Sequence, residues 1–360
     1  MAQKHGAINL SQGFPGFDTD PVLHNLVTEA MASGYNQYAP MLGTYGLREQ
    51  IAQKLNTLYG SEYHPETEVT VTVGATQAIY TIMSACINVG DEVIVLKPAY
   101  DSYDPSILVH GGKVVPIQLK APAYKVDWNV VEAAISPATK MIIINTPHNP
   151  TGTILTATDM MELQRILEGT DIMILSDEVY EHIIFDGATH ESVAKYPKLA
   201  ERSFITASFG KTFHNTGWKM GYTVAPKALM KEFQKVHQFT VFSVHHPSQK
   251  AFAQYLKTPS HYLELSSFYQ RKRDLFLELI KESRFKMTPS AGTYFQLLDY
   301  SAITDENDIL FAERLTKEKG IASIPTSVFN LDQEDFKMLR FCFAKTDETL
   351  EQAAEILNTI

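Results

Sequence analysis

The sequence predicts an α/β protein, a mainly parallel sheet flanked by helices, followed by a smaller α+β unit. Three observations carry that prediction. Short runs rich in β-branched residues recur through the first two thirds of the chain. Amphipathic stretches of helical length separate the first few of them. Past about residue 245 that alternation stops, and strand-like and helical runs follow in another order. Alternating β and α signals favour parallel strands, because each crossover helix covers a face of the sheet.

The predicted strands are Val69–Val73, Val93–Leu96, Val114–Gln118, Met141–Asn145, Ile172–Ser176, Phe204–Ala207 and Tyr222–Ala225. Each has about five residues, the usual strand length. Ala75–Ile87 and Thr158–Leu167 carry helical patterning, and Lys227–Leu256 reads as one long helical segment that contains Pro247. Tyr262–Glu282 is a charged amphipathic helix. Thr293–Leu298 and Met338–Phe343 are strand-like, with helices near Asp308–Lys319 and Glu348–Leu357. There is no internal repeat, low-complexity segment or Gly/Ser linker. The expected division is an N-terminal segment, 1–20, a large domain, 21–245, and a small C-terminal domain, 246–360. Two domains without a linker pack closely, and the site is expected between them.

Composition removes whole classes of function. With 360 residues, 44% of them hydrophobic, the chain can bury a large core. Lys plus Arg is 31 and Asp plus Glu is 41, a net charge of −10. That sign argues against a nucleic acid or an anionic membrane as the main partner. No stretch approaches the about 18 apolar residues of a membrane helix, and Met1–Leu10 has no secretory apolar region. Two cysteines, Cys86 and Cys342, exclude a disulfide framework and a Cys-rich zinc module, and fit a reducing, cytoplasmic setting. The 12 His show no metal-ligand spacing, so no metal is expected.

Ligands of open α/β sheets bind at the carboxyl ends of the strands. There the sequence places Gly74-Ala75-Thr76, Tyr100, Asn149, Asp177, Tyr180, Ser208 and Lys211. These supply an anion-binding turn, an aromatic ring, an amide, a carboxylate, a phenol, a hydroxyl and an amine. Gly74-Ala75-Thr76 opens a helix directly after a strand, where free N–H groups and the helix dipole favour a phosphate. Alone, it is an ordinary βα turn. Lys211 alone would be a solvated loop lysine. Its surroundings, Ser208 to Tyr222, are mostly apolar and punctuated by glycine. A lysine there is desolvated, which lowers its pKa and makes the amine nucleophilic toward a carbonyl.

The stretch around Lys211 resembles the Schiff-base lysine motif of class I/II aminotransferases, the fold type I enzymes that use pyridoxal 5'-phosphate (PLP). Asn149-Pro150-Thr151-Gly152 matches the family's N-P-T-G, Asp177-x-x-Tyr180 its D-x-x-Y, and Arg340-Phe341 its carboxylate-binding arginine. The resemblance runs from about Ile8 to the end, and four motifs in the right order are highly specific. Within the family the chain is most similar to methionine and kynurenine/glutamine aminotransferases. That closer match lies in Asn9–Pro15, Asn145–Pro150 and Ser176–His182.

The resemblance implies PLP bound as a Schiff base on Lys211. It implies Asp177 at the pyridine nitrogen, Tyr180 and Asn149 at the ring hydroxyl, and Tyr100 stacked on the ring. Gly74, Ala75, Thr76, Ser208 and Lys219 would hold the phosphate. The wider family often has Arg where this chain has Lys219, and an ammonium binds phosphate as a point charge rather than a fork. Tyr38 resembles a tyrosine that reaches the neighbouring subunit's phosphate, which implies a homodimer with shared active sites. Arg340, a charge inside the apolar run Met338–Ala344, would hold a substrate carboxylate together with Asn149 and Gly13. Phe14, Phe17 and Tyr63 are candidate pocket walls and equally packing residues. The N-terminal segment would pack on the small domain and the site. Relatives usually carry more residues before Ala7–Leu10, a part that contributes to the pocket wall and the dimer contact.

The implied activity moves the amino group of methionine, or of aromatic or glutamine-like amino acids, to a 2-oxo acid by ping-pong chemistry. Lys211 would shuttle the Cα proton as general base and acid. The same Lys, Asp and Arg would serve a PLP-dependent C–S lyase. A catalytically silent protein of this fold should have lost Lys211 or Asp177, and both are present.

Overall fold

The computed structural model describes residues 1–360. The chain enters through a short helix, Ala2–His5, and a two-residue strand, β1 (Ile8–Asn9). Seven strands then form one sheet: β2 (Val69–Thr72), β3 (Glu92–Lys97), β4 (Lys113–Gln118), β5 (Thr139–Asn145), β6 (Met173–Asp177), β7 (Ser203–Ser208) and β8 (Gly221–Val224). Their order is β2-β8-β7-β6-β5-β3-β4. The neighbours from β7 to β4 run parallel, while β8 is antiparallel to both β2 and β7. The inner strands β3, β5, β6 and β7 are almost wholly buried, which is why they read as continuous apolar runs. Helices cover both faces. Ile79, Val93, Phe204 and Phe233 belong to the apolar layer on one face, and Ile94, Ile142, Ile174 and Phe252 to the larger core.

A second sheet, with order β12-β13-β10-β9, is built from β9 (Lys286–Met287), β10 (Phe295–Asp299), β12 (Ile324–Pro325) and β13 (Met338–Cys342), all antiparallel. Between its strands, β11 (Ile321–Ala322) pairs in parallel with β1, so the N-terminal segment is sewn to the C-terminal part of the chain. Leu265–Leu279 packs on the last helix, Asp347–Leu357.

Three expectations change. Lys227–Leu256 is not one helix but two, Lys227–Thr240 and His246–Tyr255, separated by a turn in which Phe242 has φ +64°. Pro247 lies in the first turn of the second helix, where its missing N–H costs nothing. The charged segment at Tyr262–Glu282 also divides, into Ser260–Leu263 and Leu265–Leu279. The helix at Asp308 is α-helical to Arg314 and then widens into π-type turns over Leu315–Lys319.

Candidate active site

The strand ends of the large sheet converge on a cavity of about 130 Å³. It is lined by Gly74, Ala75, Thr76, Tyr100, Asn149, Asp177, Tyr180, Ser208, Lys211 and Lys219, together with Asn145, Val179, Gly210, Thr216 and Met220. Ten of these come from the sequence expectations. Each side chain is delivered by a short local device. Lys211 sits on the single helical turn Phe209–Thr212, whose start Ser208 caps by accepting from the Lys211 amide at 3.4 Å. Gly74 begins the helix Gly74–Cys86, whose N-terminus no side chain caps. Lys219, exposed and in the left-handed region at φ +52°, puts its ammonium 3.7 Å from where a Cβ would stand on Gly74. A positive charge and free N–H groups therefore share one end of the cavity. The Tyr100 hydroxyl meets Thr76 Oγ1 at 3.1 Å.

Asp177 ends β6 and is 3% exposed. Tyr103 donates its hydroxyl to Asp177 Oδ2 at 2.6 Å, and the Val179 amide donates weakly to Oδ1 at 3.3 Å. Burial pushes the Asp177 carboxyl up to about 6, against those hydrogen bonds and the nearby charge of Lys211. Lys211 is displaced the opposite way. Burial pushes its amine down to about 8, helped by Arg340 and Lys219. A lysine near 8 is substantially neutral at mild alkaline pH and can act as a base.

Arg340 lies in the middle of β13, 7% exposed. It donates from Nη1 to Asn149 Oδ1 at 2.7 Å and from Nη2 to the Ser11 carbonyl at 3.2 Å, while its buried Nε has no partner. Phe295 stacks on the guanidinium at 4.0 Å and Phe329 lies at 5.3 Å. No carboxylate pairs with this cation. Asn149 is itself held by Asn145, whose Oδ1 accepts from the Asn149 amide at 2.9 Å. The Gly13 carbonyl accepts from Lys211 Nζ at 3.0 Å. Glycine is required at 13 because a Cβ would stand 2.7 Å from Phe295 Cζ, in the ring that flanks Arg340.

The profile of the aminotransferase class I and II family matches residues 5–357. The chain belongs to this family. It is similar to the methionine aminotransferase of Escherichia coli K12, 47% identical over 361 residues, with all of this chain and 94% of that protein covered. It is 32% identical over 399 residues to the kynurenine–oxoglutarate transaminase of Dictyostelium discoideum, covering 99% of this chain and 91% of that one. A solved Escherichia coli structure with methionine aminotransferase function superposes with a TM-score of 0.98 at 47% identity, over all of this chain and 95% of that chain. The aminotransferase fold implied by the sequence motifs is therefore the fold of this protein, with its parallel central sheet and helical layers.

Four aminotransferase expectations sit elsewhere. Tyr38 is 79% exposed and packs edge-on against Phe242 at 5.2 Å, outside the cavity of its own chain. Phe14 is 41% exposed with Lys345 over its ring, and Phe17 packs on His214 and Phe268. Tyr63 is half-buried against the main core, its hydroxyl without a partner. None of the four lines the cavity, and neither do Gly13 and Arg340, which meet it through their hydrogen bonds to Lys211 and Asn149. Conversely, Asn145, Tyr103, Phe295 and Tyr294 escaped the sequence reading. Asn145 and Tyr103 were within its reach, at a strand end and one helical turn past Tyr100. Phe295 opens β10 of the distant small sheet and Tyr294 immediately precedes it.

Proposed function

We propose that this aminotransferase uses PLP and takes methionine, with aromatic and glutamine-like amino acids as further donors, giving the amino group to a 2-oxo acid. The similarity to the Escherichia coli enzyme supports methionine. The observation that carries the site reading is Arg340, a buried guanidinium without a carboxylate in its own chain. A buried cation is costly unless paired, and a substrate carboxylate is the anion that such a site selects.

The donor set fits the cofactor. Lys219 and the uncapped helix start at Gly74, with Ala75, Thr76 and Ser208, suit a phosphate. Asp177 is a buried carboxylate that forms no salt bridge and suits a protonated ring nitrogen. Tyr100 would face the ring, and Tyr180 and Asn149 its hydroxyl. Bound there, PLP supplies an electron sink for the pair left when the Cα–H bond breaks. Arg340, Asn149 and Gly13 hold the substrate carboxylate and so fix where Cα stands. Lys211 carries the cofactor at rest, and once free its amine takes the Cα proton and gives it back. Burial of Asp177 and Arg340 keeps these charges out of water, where each counts for more, and burial keeps the Tyr180 phenol protonated.

The assembly we infer is a homodimer with shared sites. Tyr38, Phe239 and Phe242 are large, exposed aromatic residues, and Tyr38 would serve the neighbour's phosphate site. We divide the chain at 1–20, 21–245 and 246–360, with His246–Tyr255, which packs on Pro21–Ala32 and Tyr45–Tyr59, as the join. The two free thiols fit a cytoplasmic setting. No helix is long and apolar enough to cross a membrane.

The test is a half-reaction. PLP-loaded protein receives L-methionine with no acceptor. The expected result is loss of the visible band of Lys211-linked cofactor, one equivalent of 2-oxo acid and no thiol, with nothing from Lys211→Ala. A response only to another amino acid discards methionine. Thiol release favours the C–S lyase.

A further inference from the structure

Tyr294 immediately precedes β10 and is fully buried. Its hydroxyl donates to the Gly13 carbonyl at 2.7 Å, and Lys211 Nζ donates to the same hydroxyl at 3.0 Å. A phenol has one O–H. With that proton committed to Gly13, only lone pairs face the lysine. The amine thus rests between two acceptors, the Gly13 carbonyl and the Tyr294 oxygen.

The hydroxyl is rigidly placed. The Tyr294 ring stands edge-on to Tyr180 with centroids 5.1 Å apart and packs on Phe295 at 4.9 Å and Tyr269 at 5.7 Å. Its carbonyl accepts from the Phe343 amide at 3.0 Å, and the Thr293 amide donates to the Ile183 carbonyl at 2.9 Å. Gly13 comes from the N-terminal segment, Lys211 from the turn after β7 and Tyr294 from the head of β10. Three distant parts of the chain meet at this one oxygen.

We propose that Tyr294 is a positioning residue for the free amine of Lys211, receiving it whenever the lysine is not joined to the cofactor. The proposal rests on the reading of Lys211 as the amine that alternates between holding the cofactor and moving the substrate proton. A released lysine has a long flexible side chain, and a general base acts only from within reach of its proton. The two acceptors restrict where the amine goes. They also favour the ammonium form and so oppose the effect of burial on Lys211. The other groups facing Lys211 are Cys342, Arg340, Lys219 and Asp177, with the Tyr180 ring 5.7 Å from Nζ. All of them remain when the Tyr294 hydroxyl is removed.

The experiment uses full-length protein stripped of cofactor. Reductive methylation with formaldehyde across a pH series, followed at Lys211 by mass spectrometry, yields the titration midpoint of the amine. Tyr294→Phe keeps the ring packing and should lower that midpoint by about one pH unit, a tenfold loss of proton affinity. Tyr269→Phe is the control. Its hydroxyl has no partner and its ring packs on Tyr294, so its midpoint should match the wild type. A purely structural Tyr294 would lower the melting temperature and leave the midpoint in place, which overturns the proposal. A second measurement leaves Tyr294 intact. In protein labelled with ¹³C at tyrosine Cζ, the Tyr294 resonance should shift as Lys211 titrates and lose that shift in Lys211→Met. A resonance blind to Lys211 overturns the proposal. Both readouts are made without cofactor, so their failure leaves the transaminase reading standing. A midpoint shift without any transamination would sink that reading alone.

Discussion

Asp177 and Lys211 stand in one cavity with their pKa values displaced by burial in opposite senses, the pattern of a site that waits for a charged partner. The Asp177 carboxyl moves from its ordinary 3.8 up to about 6. In cofactor-free protein its ionised form is therefore a cost, absent below pH 3.8, growing as pH rises, and full above pH 6. That displacement corresponds to about 3 kcal/mol. Asp177→Asn, which keeps an acceptor for Tyr103, should melt higher than the wild type at pH 7.5. The gain should fade as pH drops through that window. Equal melting temperatures at pH 7.5 would show that the buried anion already has a partner. Lys211 and Arg340 were legible in the sequence because each is a charge in a mostly apolar stretch, and Asp177 because it ends a strand and opens the D-x-x-Y motif. Tyr103 and Tyr294 were not, since a tyrosine beside apolar residues looks like core until its hydroxyl is seen against Asp177 or Lys211.

Strands were easier to read than helix ends. Buried β-branched runs announce a strand whatever surrounds them, and all seven predicted runs fall in the large sheet. The break at Val241–His245 depends on a left-handed Phe242, a conformation set by what the turn packs against. The same holds for β8, whose first residue packs against Gly74 at the edge of the cavity. A Cβ on Gly221 would lie 2.6 Å from the Ala207 carbonyl and 3.2 Å from Gly74 Cα. No rotamer relieves a clash with backbone. Gly221→Ala should therefore destabilise the fold by about 3 kcal/mol, read from the urea midpoint, and weaken cofactor binding as Gly74 is displaced. An unchanged midpoint together with normal affinity would mean that β8 shifts freely between β2 and β7.

At the scale of the whole molecule, Tyr38 is the residue that a single chain leaves unexplained. It is exposed while every other proposed cofactor residue lines the cavity. With sites shared across a dimer, Tyr38→Ala and Lys211→Ala should each be nearly inactive alone. Unfolded together and refolded, they should recover roughly a quarter of wild-type activity, since half the dimers are mixed and each carries one intact site. No recovery on mixing would mean that the sites are not shared through Tyr38, and a fully active Tyr38→Ala would put Tyr38 outside catalysis.

Fold class, family and the set of polar residues at the strand ends were readable from the amino-acid order, because those signals are local. A βα turn, a strand end and a charge in an apolar run are each readable within a few residues. What those residues touch came from the packed fold alone. Gly13, Asn149, Lys211, Tyr294 and Arg340 come from separate stretches of the chain and share two carbonyl oxygens, one amide and one phenol. Hydrogen bonds of that kind depend on how the small sheet docks on the large one, and docking is a property of packed surfaces that no sequence spacing records.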